Sequence, residues 1–201
     1  MERVMIFIDG SNFYYGLKGN RCSTRIDFLG LSQFLTGSKR KLIRTYYYNA
    51  AYKQNDNPKK YIEQQKFFTR LKNTSYLTLK LGRLVKHVTR IDRDWLREEL
   101  GDEIANKVIK FLGEKIISYT EKGVDIQIAS DMLKLAYNDA YDTGILISGD
   151  GDFVAAVEGV KDLGKHVENS YFKKGCSNYL SETCDKFILL DSNIIDSCLY
   201  K

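Results

Sequence analysis

Ile145-Leu-Ile-Ser-Gly-Asp-Gly-Asp-Phe153 is the stretch that decides the fold of this 201-residue chain. An apolar run typical of a buried parallel strand stops at two carboxylates, Asp150 and Asp152, with one glycine between them. Val4-Met-Ile-Phe-Ile8 repeats the pattern and runs into Asp9. Because open α/β sheets bind their ligands at the carboxyl ends of the strands, the two stretches predict acidic groups at one edge of a sheet.

Strand and helix periods alternate along the chain, which predicts βαβ units and a parallel sheet in a single domain of residues 1–201. The predicted strands are 3–9, 42–50, 143–147, 165–170 and 187–190. The predicted helices are 27–35, 124–137, 153–162 and one that begins at Pro58. Residues 76–90 resemble two strands about Gly82, with a hairpin as one interpretation. Residues 92–113 are highly charged and predict a helical excursion.

Asp9, Asp150 and Asp152 have the chemistry of a divalent cation site. Mg²⁺ and Mn²⁺ prefer hard oxygen ligands, and such ions can activate water and stabilise the leaving oxygen of a phosphodiester. Gly151 lets the turn bring two carboxylates to one ion. Asp125 is a fourth candidate, although it also fits a carboxylate that simply stabilises the start of a helix.

Four polar residues beside the acids are candidates for supporting them. Asn12 is expected either to orient a carboxylate, water or scissile phosphate or to cap a helix, and Ser11 precedes it. Ser148 is expected to support Asp150 through a hydrogen bond. Asp131 falls on an otherwise apolar helix face, where a carboxylate needs a partner. We expect either a buried hydrogen bond to backbone or a role in supporting the acidic residues, with the second slightly favoured.

The charge is distributed unevenly along the chain. Residues 1–90 contain 18 Lys and Arg against 5 Asp and Glu, whereas residues 91–201 contain 13 against 21. A basic half joined to an acidic half with a candidate metal site indicates a polyanionic substrate. The predicted phosphate contacts are Arg21, Arg25, Lys39, Arg40, Lys41 and Arg44.

Several other classes of protein lack support in the sequence. Neither GxGxxG after the first strand nor GxxxxGK[ST] is present, which argues against a nucleotide-binding Rossmann protein. The two histidines, His87 and His166, belong to no recognisable nucleophile motif, which argues against a serine or cysteine hydrolase. No apolar run has the length of a membrane span or a signal peptide, and the four cysteines show no CxxC pairing. These observations predict a cytoplasmic protein with reduced thiols.

The motifs together resemble a known family. Ile8-Asp-Gly-Ser-Asn-Phe13, Lys122-Gly-Val-Asp125 with Asp131, the stretch from Tyr141 to Phe153, and Leu163-Gly-Lys165 are similar to NYN domains of the LabA-like group, among the PIN-like nucleases. The resemblance runs from the first strand to about residue 190 and is weakest over residues 83–115. It implies a Rossmann-like three-layer α/β fold and a metal-dependent acidic site made of Asp9, Asp125, Asp150 and Asp152, with Asn12 beside them.

The leading interpretation is a metal-dependent phosphodiester hydrolase that uses Mg²⁺ or Mn²⁺ and acts on RNA, with DNA as the other candidate substrate. The alternative is a regulatory or RNA-binding module that keeps the acidic site but cleaves slowly or not at all. The sequence neither indicates nor excludes a homo-oligomer.

Overall fold

The computed structural model describes residues 1–113 and 115–200. Within them, a single sheet contains strands β1 Arg3–Asp9, β2 Lys41–Ala51, β3 Leu77–Arg90, β4 Lys115–Lys122, β5 Thr143–Ile147, β6 His166–Tyr171 and β7 Lys186–Leu189. The helices are α1 Gly10–Gly19, α2 Phe28–Thr36, α3 Pro58–Lys72, α4 Arg93–Leu112, α5 Val124–Tyr137, α6 Val154–Asp162, α7 Asn178–Thr183 and α8 Ser192–Ser197, with a 3₁₀ turn at Gly151–Phe153.

The sheet has the order β4-β3-β2-β1-β5-β6-β7 and is parallel except for β4, which runs antiparallel to β3. Successive side chains of β1 enter two separate cores: Val4, Ile6 and Ile8 face one side, and Met5 and Phe7 face the other. Helices α1, α2, α3 and α8 cover the first side, and α5, α6 and α7 cover the second. The predicted three-layer α/β fold is therefore confirmed.

Local signals explain where several helices begin. Asp27 caps α2 by accepting a hydrogen bond from the Leu29 amide, and Pro58 occupies the first turn of α3. The bounds of α5 and β5 agree with those predicted from their apolar patterns. None of the helices in the described residues is long and apolar enough to cross a membrane.

The predicted pair of strands about Gly82 is wrong, because β3 continues through this glycine as one strand. Its first half pairs with β2, and its second half pairs with β4, so that Arg83 lies opposite Lys122. A Cβ atom at Gly82 would lie 2.7 Å from Val124 Cγ2 and 2.9 Å from the Lys122 carbonyl oxygen. The glycine therefore permits a close approach between neighbouring segments and does not form a turn.

Helix α4 confirms the predicted helical excursion and connects β3 to β4. It changes direction at Gly101, whose φ of 76° lies in the left-handed region. We call the unit formed by the outer part of β3, α4 and β4 the arm, residues 84–121. The arm extends the sheet at the side of β3 that β2 does not cover.

Candidate acidic site

The two central strands bring Asp9 and Asp150 together. β1 and β5 are parallel neighbours with Ile8 opposite Ile147, and Asp9 ends β1 while Asp150 follows shortly after β5. From β1 the chain continues to β2 on one side, whereas β5 lies on the other side. Such a point, where the strand order reverses, is where open α/β sheets form their ligand crevice.

Asp9 is fixed by two hydrogen bonds although its side chain is almost fully buried. Its Oδ1 accepts from the Asn12 amide at 3.0 Å, and its Oδ2 accepts from Ser148 Oγ at 3.2 Å. Asp9 is therefore the N-cap of α1, and the alternative that Asn12 is the cap is wrong. The same carboxylate starts a helix and contributes to the acidic site.

A chain of hydrogen bonds links the two strand ends. Asn12 Oδ1 accepts from the Gly149 amide at 3.0 Å, and Ser148 Oγ accepts from the Asp150 amide at 3.1 Å. Asp150 Oδ1 in turn accepts from the Asp152 amide at 3.0 Å. Asn12 and Ser148 thus hold the loop after β5 against the start of α1, which fixes the position of Asp150.

The carboxylates of Asp9, Asp125 and Asp150 line one cavity of about 540 Å³. A fourth lining carboxylate is Glu121, which sequence reasoning missed; its Oε1 accepts a hydrogen bond from Ser11 Oγ at 2.8 Å. The sequence signal for Glu121 was that it lies two residues before Gly123, close to Asp125. The signal was insufficient, because only the antiparallel pairing of β4 with β3 brings Glu121 to the cavity. The cavity is completed by Asn12, Ser11, Tyr15, Gly16, Gly19, Lys174 and Gly175.

Burial and neighbouring charges raise the pKa values of three of these carboxyl groups. Burial, opposed by the hydrogen bond from Asn12 and assisted by the charges of Asp125 and Glu121, raises the pKa of Asp9 to about 6. Burial also raises the pKa of Glu121, with a further contribution from Asp125. Partial burial raises the pKa of Asp125, and Asp150 and Asp152 add to that effect. Asp125 therefore interacts electrostatically with each of the other three acids expected from the sequence.

Asp152 and Asp131 occupy different places from the other acids. Asp152 is exposed and lies outside the lining of the cavity, although its charge acts on Asp125. Asp131 faces β2 and β3, where its Oδ2 accepts a hydrogen bond from Tyr48 Oη at 2.8 Å and forms an ion pair with Lys80 Nζ at 3.1 Å. The hydrogen bond of Asp131 thus comes from a side chain and not from the backbone, and both of its partners lie outside the lining of the cavity, so its supporting role stays a prediction.

The predicted phosphate contacts in and before β2 are at the wrong end of the sheet. Lys41 lies opposite Arg3, and Arg44 lies opposite Met5, so both are near the amino ends of the strands, and Lys39 precedes them. The acidic cavity is at the carboxyl ends. Composition shows that this segment is basic, but it does not show which end of a strand the charges flank.

Arg40 is a structural residue. Its guanidinium donates two hydrogen bonds to the nearly buried carboxylate of Glu168, at 2.8 and 3.3 Å. It also donates to the carbonyl oxygens of Leu35 and Thr36, both at 2.8 Å. The prediction that Arg40 contacts phosphate is wrong, since its donors serve the protein itself. Arg21 and Arg25 are exposed and do not line the cavity.

The donor set fits a divalent cation. Hard carboxylate oxygens surround the cavity, and their mutual repulsion would be relieved by positive charge. In residues 1–113 and 115–200, no three Asp, Glu, His or Cys side chains already converge closely enough to hold a metal. Mg²⁺ keeps several waters and takes only one or two carboxylates together with phosphate oxygens, and the carboxylates that line the cavity can supply such ligands.

Comparisons with known proteins agree with this architecture. The model of the NYN domain matches residues 3–191. A protein of unknown function from Vibrio parahaemolyticus has a similar solved structure, with a TM-score of 0.64 and 21% sequence identity over 99% of this chain and 96% of that one. At this identity the likeness shows the fold alone. A search of curated proteins finds no match.

Proposed function

The chain belongs to the NYN domain family, a branch of the PIN-like nucleases, and from that premise we propose that it hydrolyses phosphodiester bonds of RNA with the help of Mg²⁺ or Mn²⁺. One observation carries this proposal: the carboxylates of Asp9, Glu121, Asp125 and Asp150 line a single cavity at the point where the strand order reverses. Membership of the LabA-like group and a cytoplasmic location stay predictions.

Asp9, Asp125 and Asp150 are the residues that would hold the cation, with Glu121 as the nearest further carboxylate. When bound, the cation would supply an activated water and stabilise charge on the leaving oxygen. The chain itself supplies the positioning. Asp9 is locked by Asn12 and Ser148, so its carboxylate is presented without reorganisation.

Asn12 and Lys174 are the lining residues suited to the substrate. Asn12 Oδ1 is occupied by the Gly149 amide, which turns the Asn12 Nδ2 donor away from that contact. This donor can bind a phosphate oxygen. Lys174 adds a positive charge to an otherwise acidic lining and can offset the repulsion between the carboxylates and a phosphodiester.

Cleavage of a labelled, unstructured RNA in EDTA, Mg²⁺ and Mn²⁺ tests this function, with Asp150→Asn as the site variant. Asp162→Asn is the matched control, because Asp162 is an exposed aspartate at the end of α6. We expect product from the wild-type protein and the control only with a metal, and at least a 100-fold loss in Asp150→Asn. Equal metal-dependent rates in Asp150→Asn and the wild type would reject the assigned site.

A second candidate function is a regulatory RNA-binding module that retains the acidic site but cleaves slowly or not at all. The observation in its favour is that Asp152, which was expected in the acidic cluster, is exposed and lies outside the lining of the cavity. It predicts salt-sensitive RNA binding without a metal-dependent product. The same cleavage assay, run beside a binding measurement, separates the two functions.

A further inference from the structure

A second groove adjoins the acidic cavity. It has a volume of about 510 Å³ and shares Ser11, Tyr15 and Glu121 with the cavity. Its walls come from α1, from the carboxyl end of β2 and from α3. The groove therefore leads away from the carboxylates along the surface of the protein, and anything bound in it would be continuous with a substrate in the cavity.

The groove combines aromatic rings with cations in three pairs. Lys18 Nζ lies 4.5 Å from the centre of the Tyr14 ring, and Lys60 Nζ lies 5.5 Å from that of Tyr52. The third pair, further along α3, is Arg70 with the ring of Phe67 at 6.0 Å. All six side chains line the same groove, and the three cationic residues are exposed.

The aromatic side of the groove is held in place before any ligand binds. Gln64 on α3 accepts a hydrogen bond from the Tyr52 amide at 2.9 Å and donates one to the Ala50 carbonyl oxygen at 2.9 Å. The ring of Tyr52 also packs edge-on against Tyr119, with 5.7 Å between ring centres. These contacts fix the end of β2 against α3, so little conformational entropy is lost when a ligand contacts the rings.

We propose that this groove binds unpaired nucleotides of a single-stranded RNA, with bases on the rings and phosphates on the neighbouring cations. Stacking on aromatic rings beside a basic path is how proteins hold single strands, whereas the bases of a duplex are not free to stack. The three cations outnumber the two carboxylates of the lining, Glu63 and Glu121, and this charge, together with continuity with the acidic cavity, favours this ligand over an apolar peptide. The proposal deepens the proposed function, on which it rests for the identity of the substrate.

Binding of a fluorescent, unstructured RNA of about 12 nucleotides, followed by anisotropy in EDTA, tests the groove. All proteins carry Asp150→Asn so that no cleavage occurs. The groove variants are Tyr14→Ala and Tyr52→Leu, and the matched control is Tyr137→Ala, a 78% exposed tyrosine at the end of α5. Tyr14 is 40% exposed, so its loss leaves the core intact, and thermal melting checks the fold of Tyr52→Leu.

We expect each groove variant to weaken binding by about 5- to 150-fold, which corresponds to the loss of one stacked base. Tyr137→Ala should bind like its parent, and a duplex of the same sequence should bind more weakly than the single strand. The triple variant Lys18→Gln, Lys60→Gln, Arg70→Gln should reduce the salt slope of binding by about 2, or ~0.7 for each phosphate contact. In the protein with Asp150 intact, Tyr14→Ala should raise KM and leave kcat unchanged.

Failure of the groove and failure of the nuclease function give different results. If metal-dependent cleavage occurs but Tyr14→Ala and Tyr52→Leu bind RNA as Tyr137→Ala does, the groove proposal is overturned. It is also overturned if the duplex binds as tightly as the single strand. If none of the proteins cleaves RNA but the groove variants lose affinity, the groove proposal is supported and the nuclease function is rejected.

Discussion

Replacing Asp9 with asparagine should stabilise the metal-free protein at neutral pH. Asp9 is only 5% exposed, and burial together with the neighbouring carboxylates raises its pKa from 3.8 to about 6. The folded state therefore binds the proton of Asp9 more tightly than the unfolded state does. The protonated carboxyl group stabilises the folded state fully below pH 3.8, and this stabilisation is lost as the pH rises through 6. At pH 7.5 the ionised carboxylate therefore costs about 3 kcal/mol relative to the protonated form.

Asparagine can keep both contacts of the side chain. Its carbonyl oxygen can accept from the Asn12 amide, and its amide can donate to Ser148 Oγ, whose hydroxyl is free to rotate. The substitution therefore removes the charge with little loss of hydrogen bonding. We expect the free energy of unfolding at pH 7.5 to rise by about 2–3 kcal/mol, or roughly 4–10 °C in Tm for a chain of this length.

Urea unfolding in EDTA, from pH 4.5 to 7.5, gives the free energy of unfolding of the wild type and of Asp9→Asn. The difference between the two values measures the effect of Asp9, because the contributions of the other titrating groups cancel. The difference between the two stabilities should be about 2 kcal/mol smaller at pH 4.5 than at pH 7.5, with most of the change below pH 6, and Asp162→Asn should follow the wild type throughout. Mg²⁺ should stabilise the wild-type protein more than the variant. A constant difference across this pH range, or a variant that is less stable at pH 7.5, would refute the reasoning.

Three further predictions concern other side chains. Arg40→Gln should reduce the free energy of unfolding by about 2–3 kcal/mol, because it removes the closer partner of the nearly buried Glu168 and leaves only Lys186, at 3.6 Å, in the part of the chain that the structure describes. It should leave the RNA affinity of the folded protein unchanged; urea unfolding and anisotropy check both statements. Asp131→Asn should lose the ion pair with Lys80, lower stability by less than about 1 kcal/mol and leave cleavage intact, whereas a tenfold loss of kcat would return Asp131 to the active site. Glu121→Gln should raise the Mg²⁺ concentration for half-maximal cleavage by about tenfold, which a metal titration measures; an unchanged midpoint would remove this carboxylate from the metal's surroundings.

The elements next to the site followed from the sequence because their information is local. The apolar runs that end at Asp9 and before Asp150 define β1 and β5, and a parallel sheet brings strand ends to one edge. The position of Asp125 in the first turn of a helix followed from the turn at Gly123 and the pattern after it, whereas its place in the acidic site was implied by the family resemblance. In each case a short stretch of chain was enough.

The parts that the sequence did not predict depend on distant pairing. Glu121 reaches the cavity only because β4 runs antiparallel along β3, which brings it opposite Leu84. Arg40 looked available for phosphate because its partner Glu168 is far away in the chain. The groove with its pairs of aromatic rings and cations also depends on distant parts of the chain. Its walls come from α1, the end of β2 and α3, which lie side by side only in the folded protein.

The arm joins the rest of the sheet at one place, since its first and last residues, Leu84 and Glu121, lie opposite each other. A segment whose two ends meet can change greatly in length at small energetic cost, about 0.6 kcal/mol for each doubling of a flexible loop. Most of the arm can therefore be exchanged without disturbing the central strands. Its returning strand β4 nevertheless places Glu121 at the cavity, so a substitution or a shift in this peripheral strand changes the charge or the position of a carboxylate in the acidic lining.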